Sequence, residues 1–222
     1  MDFSELSEMI IRGDHRAAER WTRDALAAGA EPRAIIEAGL VPGMEEVGRR
    51  FKCNDFHLPE VLIAARAMKT SLKLVQPLVS RSGVAAPGKV VMGTVRGDLH
   101  DIGKNLVSMM LEGAGFEVHD LGVDVAPEAF LRATREQAAD LVGLSGLLTT
   151  SMPMMRETVK LLKNGELGAR VKVMVGGAPV NQAFADQIGA DGYAANGALA
   201  VDVANALLTR SRNADAAAMK PR

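Results

Sequence analysis

A single cysteine, Cys53, among 222 residues excludes an internal disulfide. Aromatic residues make up only 4% of the chain against 12 methionines, so the core has to be filled by aliphatic and thioether side chains rather than by stacked rings. No apolar run reaches membrane-spanning length. The opening MDFSELSEMIIRGDH lacks the basic and apolar regions of a signal peptide, so the expected location is the cytoplasm, with no membrane partner. An excess of either charge is also missing: Lys+Arg 26 against Asp+Glu 27 gives a net charge of -1, which argues against a nucleic-acid surface. Neither a G-x-G-x-x-G fingerprint nor a Walker loop occurs, so nucleotide cofactors lose their usual signature. His15, His57 and His119 show no metal-ligand spacing with one another or with Cys53, and no zinc site is expected.

What is present divides in two. From residue 1 to about 80 the patterning is helical throughout. Ile10 and Ile11 close a first amphipathic segment, and Asp14 is placed to cap a second that runs through Trp21 and Leu26 to a stop at Gly29. Pro32 opens a third helix carrying Ile35, Ile36 and Leu40; Met44, Val47 and Phe51 lie at helical spacing on a fourth; Leu58-Pro59 begins a long fifth that ends near Val79. Ser80 to Gly88, SRSGVAAPG, has no period and reads as a linker.

Beyond it, strands and helices alternate: Lys89 to Met92, Leu106 to Leu111, Phe116 to Asp120, Pro127 to Thr134, Leu141 to Leu144, Met152 to Leu162, Val171 to Val175, Asn181 to Ile188, Tyr193, then Leu199 to Leu208. Parallel strands need crossover helices, so this alternation predicts an α/β domain with a doubly wound, flavodoxin- or Rossmann-like parallel sheet. The expected organisation is therefore a helical bundle over residues 1–84, an α/β domain over 85–210, and a frayed tail over 211–222.

Three strand-end loops of the second domain carry the chemistry, all on the carboxyl edge where open α/β sheets bind ligands. The first holds Gly97-Asp98-Leu99-His100-Asp101-Ile-Gly103; the second is Ser145-Gly-Leu147-Leu-Thr149-Thr-Ser151; the third is Gly176-Gly177. In the first, an acid two residues before an imidazole can steady it, and a glycine three residues after it leaves room for something bulky. Each element has an ordinary alternative. His100 could be a solvated loop histidine between Asp98 and Asp101, the Gly-Gly pair a strand-end turn, and Ser145, Thr149 or Ser151 a cap for the helix opened by Met152-Pro153. Arg96 and Lys104 either approach a phosphate near the helix N-terminus or are solvated.

Taken together, the aspartate and histidine, the SxL element and the glycine pair resemble the base-off cobalamin-binding domain. Met44-Glu-Glu-Val-Gly-Arg-Arg-Phe51 and Phe56-His-Leu58-Pro-Glu-Val-Leu-Ile-Ala-Ala-Arg66 resemble the helical cap that precedes it in methionine synthase and in small corrinoid proteins of methyltransferase systems. The resemblance implies that His100 is the lower axial ligand of cobalt in cobalamin or a related corrinoid, with Asp98 holding its other nitrogen and Ser151 extending the relay. It further implies that Gly103, Ser145, Gly176 and Gly177 line a slot for the nucleotide tail. Thr149 falls at the corrin edge, Asn196 and Gly197 fall near the tail, and Gly97, Leu99, Asp101 and Leu147 belong to the same contact region. Phe51 and Leu58 match the pair shielding the upper cobalt face, and Glu37 an acid near the corrin.

The function implied is a methyl carrier on cobalt. It works between a substrate-specific methyltransferase and a second one acting on a thiol or folate, with a reductive activase as a further partner. It is a component of a multi-protein system rather than a complete enzyme. The alternatives are a cobalamin-dependent sensor of light or cofactor status acting on a regulatory partner, and the small subunit of a carbon-skeleton mutase.

Overall fold

The computed structural model describes residues 2–79, 86–164, 167, 168 and 170–218. The chain forms two compact units, residues 1–86 with 109–115, and residues 87–108 with 116–222.

The first unit is helical. α1 (Phe3–Ile11) is capped by Asp2 and α2 (His15–Ala27) by Asp14, whose carboxylate accepts the Ala17 amide at 2.9 Å. α3 (Pro32–Ala34), a π-helical turn (Ile35–Leu40) and α4 (Val41–Lys52) follow without a break, so the separate third and fourth helices expected from sequence are one continuous rod. Pro42 provides no N–H and its ring crowds the preceding turn; the wider π turn just before it makes room. Gly39 and Gly43 lie where α1 approaches: a Cβ on either would meet Leu6 or Ile10 at 2.8 or 2.9 Å, and the Ser7 hydroxyl donates to the Gly39 carbonyl at 2.7 Å. α5 (Leu58–Val79) completes the bundle. Leu6, Ile10, Ala18, Ile35, Leu40, Val47, Val61, Ala64 and Val75 are wholly buried, and the Thr22 and Ser71 hydroxyls share a buried hydrogen bond between α2 and α5.

From residue 87 on, the chain alternates β1 (Lys89–Thr94), α6 (Ile102–Gly113), whose residues from 109 on count with the first unit, β2 (Glu117–Asp120), α7 (Pro127–Glu136), β3 (Leu141–Ser145), α8 (Met152–Lys163), β4 (Lys172–Gly176), α9 (Gln182–Ile188), β5 (Gly192–Ala194) and α10 (Gly197–Ala218). All strands pair in parallel, in the order β2-β1-β3-β4-β5. The chain leaves β1 towards β2 in one direction and then crosses back to β3, β4 and β5 in the other. Right-handed crossovers therefore put α7, α8 and α9 on one face of the sheet and α6 on the opposite face. Val91, Val142, Leu144, Val173 and Val175 meet Phe130, Met155, Val159 and Ile188 on the first of these faces.

The strands run slightly past the apolar runs that announced them. β1 continues through Gly93 to Thr94, because the Phe130 ring packs where a Cβ on Gly93 would sit, 2.7 Å away. α10 continues to Ala218, so most of the tail expected to fray is helical. Of the expected linker, Ser80 to Ala85 lie outside the described residues.

Candidate functional site

The direction of the crossovers reverses between β1 and β3, and a doubly wound sheet opens its ligand crevice at that switch point, beyond the carboxyl ends of the strands. Register brings the informative loops together there: Thr94 is paired with Ser145, Ser145 with Gly176, and Gly176 with Ala194. The loops read as separate motifs in the sequence thus leave adjacent strands at one level.

Asp98 is the hub. Its side chain is wholly buried, and both oxygens are used. Oδ1 accepts from the His100 amide at 3.1 Å and lies 2.7 Å from His100 Nδ1; Oδ2 accepts from the Leu147 amide at 2.6 Å, the Leu148 amide at 3.1 Å and the Ser151 hydroxyl at 3.0 Å. Burial pushes this carboxyl upward, but the bonds from His100 and from the Leu147 and Leu148 amides outweigh it and hold Asp98 well below the usual carboxylate range. An ionised Asp98 only accepts, so Nδ1 of His100 carries the proton and Nε2 keeps its lone pair. Among the described residues nothing engages Nε2, and the His100 side chain is 52% exposed. The imidazole is therefore oriented by its acid and offered outward, as a metal-ligating histidine is.

Around it the surface is open and apolar. Leu99 is 72% and Ile102 67% exposed, and Leu147 and Leu148 are exposed as well. A Cβ on Gly97 or Gly103 would meet nothing within 4 Å. These loops fit a flat, largely apolar group bearing a metal that needs one axial nitrogen.

Gly176 and Gly177 sit against neighbouring backbone. Gly177 has φ +131°, and a Cβ there would lie 1.8 Å from the Gly146 carbonyl oxygen; one on Gly176 would lie 2.9 Å from the Ala194 carbonyl. The pair lets neighbouring backbones close on one another.

Ser151 occupies the position before α8, yet its hydroxyl makes no cap; it is committed to Asp98 and the Leu148 carbonyl. Thr149 is exposed on the short 3-10 turn (Thr149–Ser151), and Ser145 is half-buried at its strand end. Asn196 caps α10 by accepting the Leu199 amide at 2.9 Å, with Gly197 buried beside it. Arg96 is exposed. Lys104 is not solvated as one reading had it: it is 2% exposed and paired with Asp120. In the first unit, Phe51 is half-buried near the end of α4, Leu58 begins α5 at the surface, and Glu37 is exposed and ion-paired with Arg33 at 2.6 Å.

Two contributors escaped the sequence reading. The Thr94 hydroxyl donates to the His100 carbonyl at 2.8 Å, and Asp124, at φ +53°, accepts the Gly97 amide at 2.7 Å while its own amide donates to the Asp98 carbonyl at 3.0 Å. The only signal for Asp124 was an acid two residues after Gly122, in a loop with no other mark.

A buried acid orienting an outward histidine at the switch point of a parallel sheet has the form of a ligand-binding site at the strand ends. Family comparison agrees: a B12 binding domain model matches residues 88–202 and a second model of that description matches residues 3–76, so the chain belongs to the B12-binding family.

It is 40% identical over 207 residues to a corrinoid protein of Desulfitobacterium hafniense, covering 92% of this chain and 96% of that one. It is also 49% identical over 181 residues to dimethylamine corrinoid protein 3 of Methanosarcina acetivorans, covering 82% and 85%. Among solved structures, a chain of the methanol:cobalamin methyltransferase complex MtaBC from Methanosarcina barkeri superposes with a TM-score of 0.79 at 31% identity, over 92% of this chain and 78% of that one. A cobalamin-binding protein from D. hafniense DCB-2 gives 0.76 at 32% identity, over 93% and 98%. No described helix is long and apolar enough to cross a membrane.

Proposed function

We propose that this chain is a corrinoid methyl carrier, passing a methyl group between a substrate-specific methyltransferase and a second methyltransferase whose acceptor is a thiol or a folate. The observation that carries this reading is the Asp98 hub, which presents Nε2 of His100 as a lone pair at the sheet edge. The relatives bearing corrinoid names and the likeness to a methyltransferase complex support it. Cobalt, when bound, supplies both a nucleophile for accepting the methyl group and a leaving group for yielding it.

The protein's own residues do the rest. His100 serves as lower axial ligand in place of the corrinoid's own base; Asp98 fixes its tautomer, and Ser151 completes the hydrogen-bonded relay. Gly97, Leu99, Asp101, Leu147 and Thr149 contact the ring region, while Gly103, Ser145, Gly176, Gly177, Asn196 and Gly197 adjoin the displaced tail. Phe51 and Leu58 take the shielding role of the helical unit, with Glu37 as an acid near the corrin, and a reductive activase restores oxidised cobalt.

The test is reconstitution with methylcobalamin. The absorption spectrum should be that of a histidine-ligated, base-off form, and His100→Ala should convert it to the unligated one. An unchanged spectrum in H100A would remove His100 from the role. Transfer assays with methyltransferases, across methanol, methylamines, betaines and aryl methyl ethers, identify the donor.

A further inference from the structure

A buried lysine in the first turn of α6 is expensive. Its charge opposes the positive end of the helix dipole, and its desolvation has to be compensated. A methionine would fill the same space without either cost, so the retained ammonium calls for an explanation.

Lys104 is 2% exposed. Its Nζ donates to Asp120 at the end of β2 and, at 2.7 Å, to Oδ1 of Asn105. The other oxygen of Asp120 accepts the Gly122 amide at 2.9 Å, fixing the turn after β2. From Asn105 the chain continues: its Nδ2 donates to Asp101 at 3.0 Å, and Asp101 directly follows His100. The same turn reaches the loop again through Asp124, which receives the Gly97 amide. The loop bearing His100 is thus held from the β3 side by the Asp98 carboxylate and from the β2 side by this second network.

The geometry points to Lys104 as a positioning residue for His100: a buried ammonium that ties Asp120 at the end of β2, through Asn105, to Asp101, and so keeps the imidazole presented before any cofactor arrives. This rests on the ligand role proposed for His100. Partners behind a ligating histidine are worth about 10–100-fold in metal affinity, which sets the scale.

The test compares Lys104→Met and Asn105→Ala with the unaltered protein and with Lys163→Met. Lys163 pairs with Asp191 at the amino end of β4 and is remote from the loop in register, so its loss controls for removing a lysine–aspartate pair as such. One readout is the ratio of histidine-bound to histidine-free methylcobalamin by absorption. The other is amide hydrogen exchange at His100 in the ligand-free protein, where that amide is bonded to Asp98.

K104M should fold normally, lower the ratio by about tenfold and speed His100 exchange by a similar factor. N105A should move both in the same direction by less, and K163M should move neither. An unchanged ratio and exchange in K104M, or equal effects from K163M, would overturn the proposal. If the unaltered protein showed no His100-dependent spectrum, the functional reading would fall and take the cobalt arm with it. The exchange comparison would still decide whether Lys104 holds the loop.

Discussion

Asparagine at position 98 is nearly isosteric with aspartate but can accept on only one side. Five donors converge on the native carboxylate, two on Oδ1 and three on Oδ2. The amide therefore settles with its carbonyl towards Leu147, Leu148 and Ser151, where it keeps three bonds, and with its NH2 towards His100. Two consequences follow. The His100 amide loses its acceptor, which costs about 1–3 kcal/mol, and the three surviving bonds lose their charge assistance, which roughly halves them. Asp98→Asn should therefore destabilise the second unit by about 3 kcal/mol at neutral pH. More informatively, the new NH2 donates to Nδ1, so the imidazole proton moves to Nε2, the atom proposed to bind cobalt.

The assay has two parts. Urea unfolding reports the stability loss, and the absorption of the methylcobalamin-loaded variant reports the ligand. D98N that still folds should bind corrinoid in the unligated form, as H100A does. A full histidine-ligated spectrum in D98N would refute the tautomer argument. Because the Asp98 carboxyl is held below its unfolded value of about 3.9, its contribution is complete above about pH 5 and is lost as the pH falls through that value and below it. The stability gap between the native protein and D98N should accordingly narrow from pH 7 to pH 4. A gap that widened on acidification would give the shift the wrong sign.

The glycines separate folding from ligand roles. Gly177→Ala places a methyl group 1.8 Å from a carbonyl oxygen at φ +131°, so a loss of about 4 kcal/mol or failure to fold is expected in denaturant titration. Gly103→Ala, in the first turn of α6 with open space around it, should raise stability by about 0.5–1 kcal/mol while weakening corrinoid binding measured by equilibrium titration. Phe130→Ala removes the largest wholly buried side chain and should cost about 3–5 kcal/mol without altering the spectrum of the bound corrinoid. Phe51→Ala should leave binding largely intact and speed photolysis of the methyl–cobalt bond.

The alternation of apolar runs carried the parallel sheet, and strand ends were set to within a few residues because β-branched runs stop where the backbone leaves the core. What misled was local punctuation. The stretch between Leu40 and Met44 reads as a helix boundary, yet the helix passes through it with a π turn, α1 packing closely on Gly39 and Gly43. Lys104 looks like any helix-start lysine because its partner, Asp120, lies sixteen residues away at the end of β2. Such pairings depend on which strand ends become neighbours, which is a property of topology and not of spacing along the chain.

The two kinds of glycine at the site make the same distinction sharper. In the sequence, Gly103 and Gly177 both read as room left for a ligand. The structure gives them opposite surroundings: free space at one, the Gly146 carbonyl at the other. A glycine's lack of a side chain tells only that something comes near, and whether that is another strand's backbone or a corrin ring is decided by register. Here Ser145 paired with Gly176 brings the Gly146 and Gly177 backbones together, so this pair shapes the site by closing the sheet edge on which His100 and its acid stand. Site variants at the two positions should therefore fail in different ways, Gly177→Ala in folding and Gly103→Ala in binding. A Gly177 variant that folded with native stability but lost corrinoid would reverse the assignment.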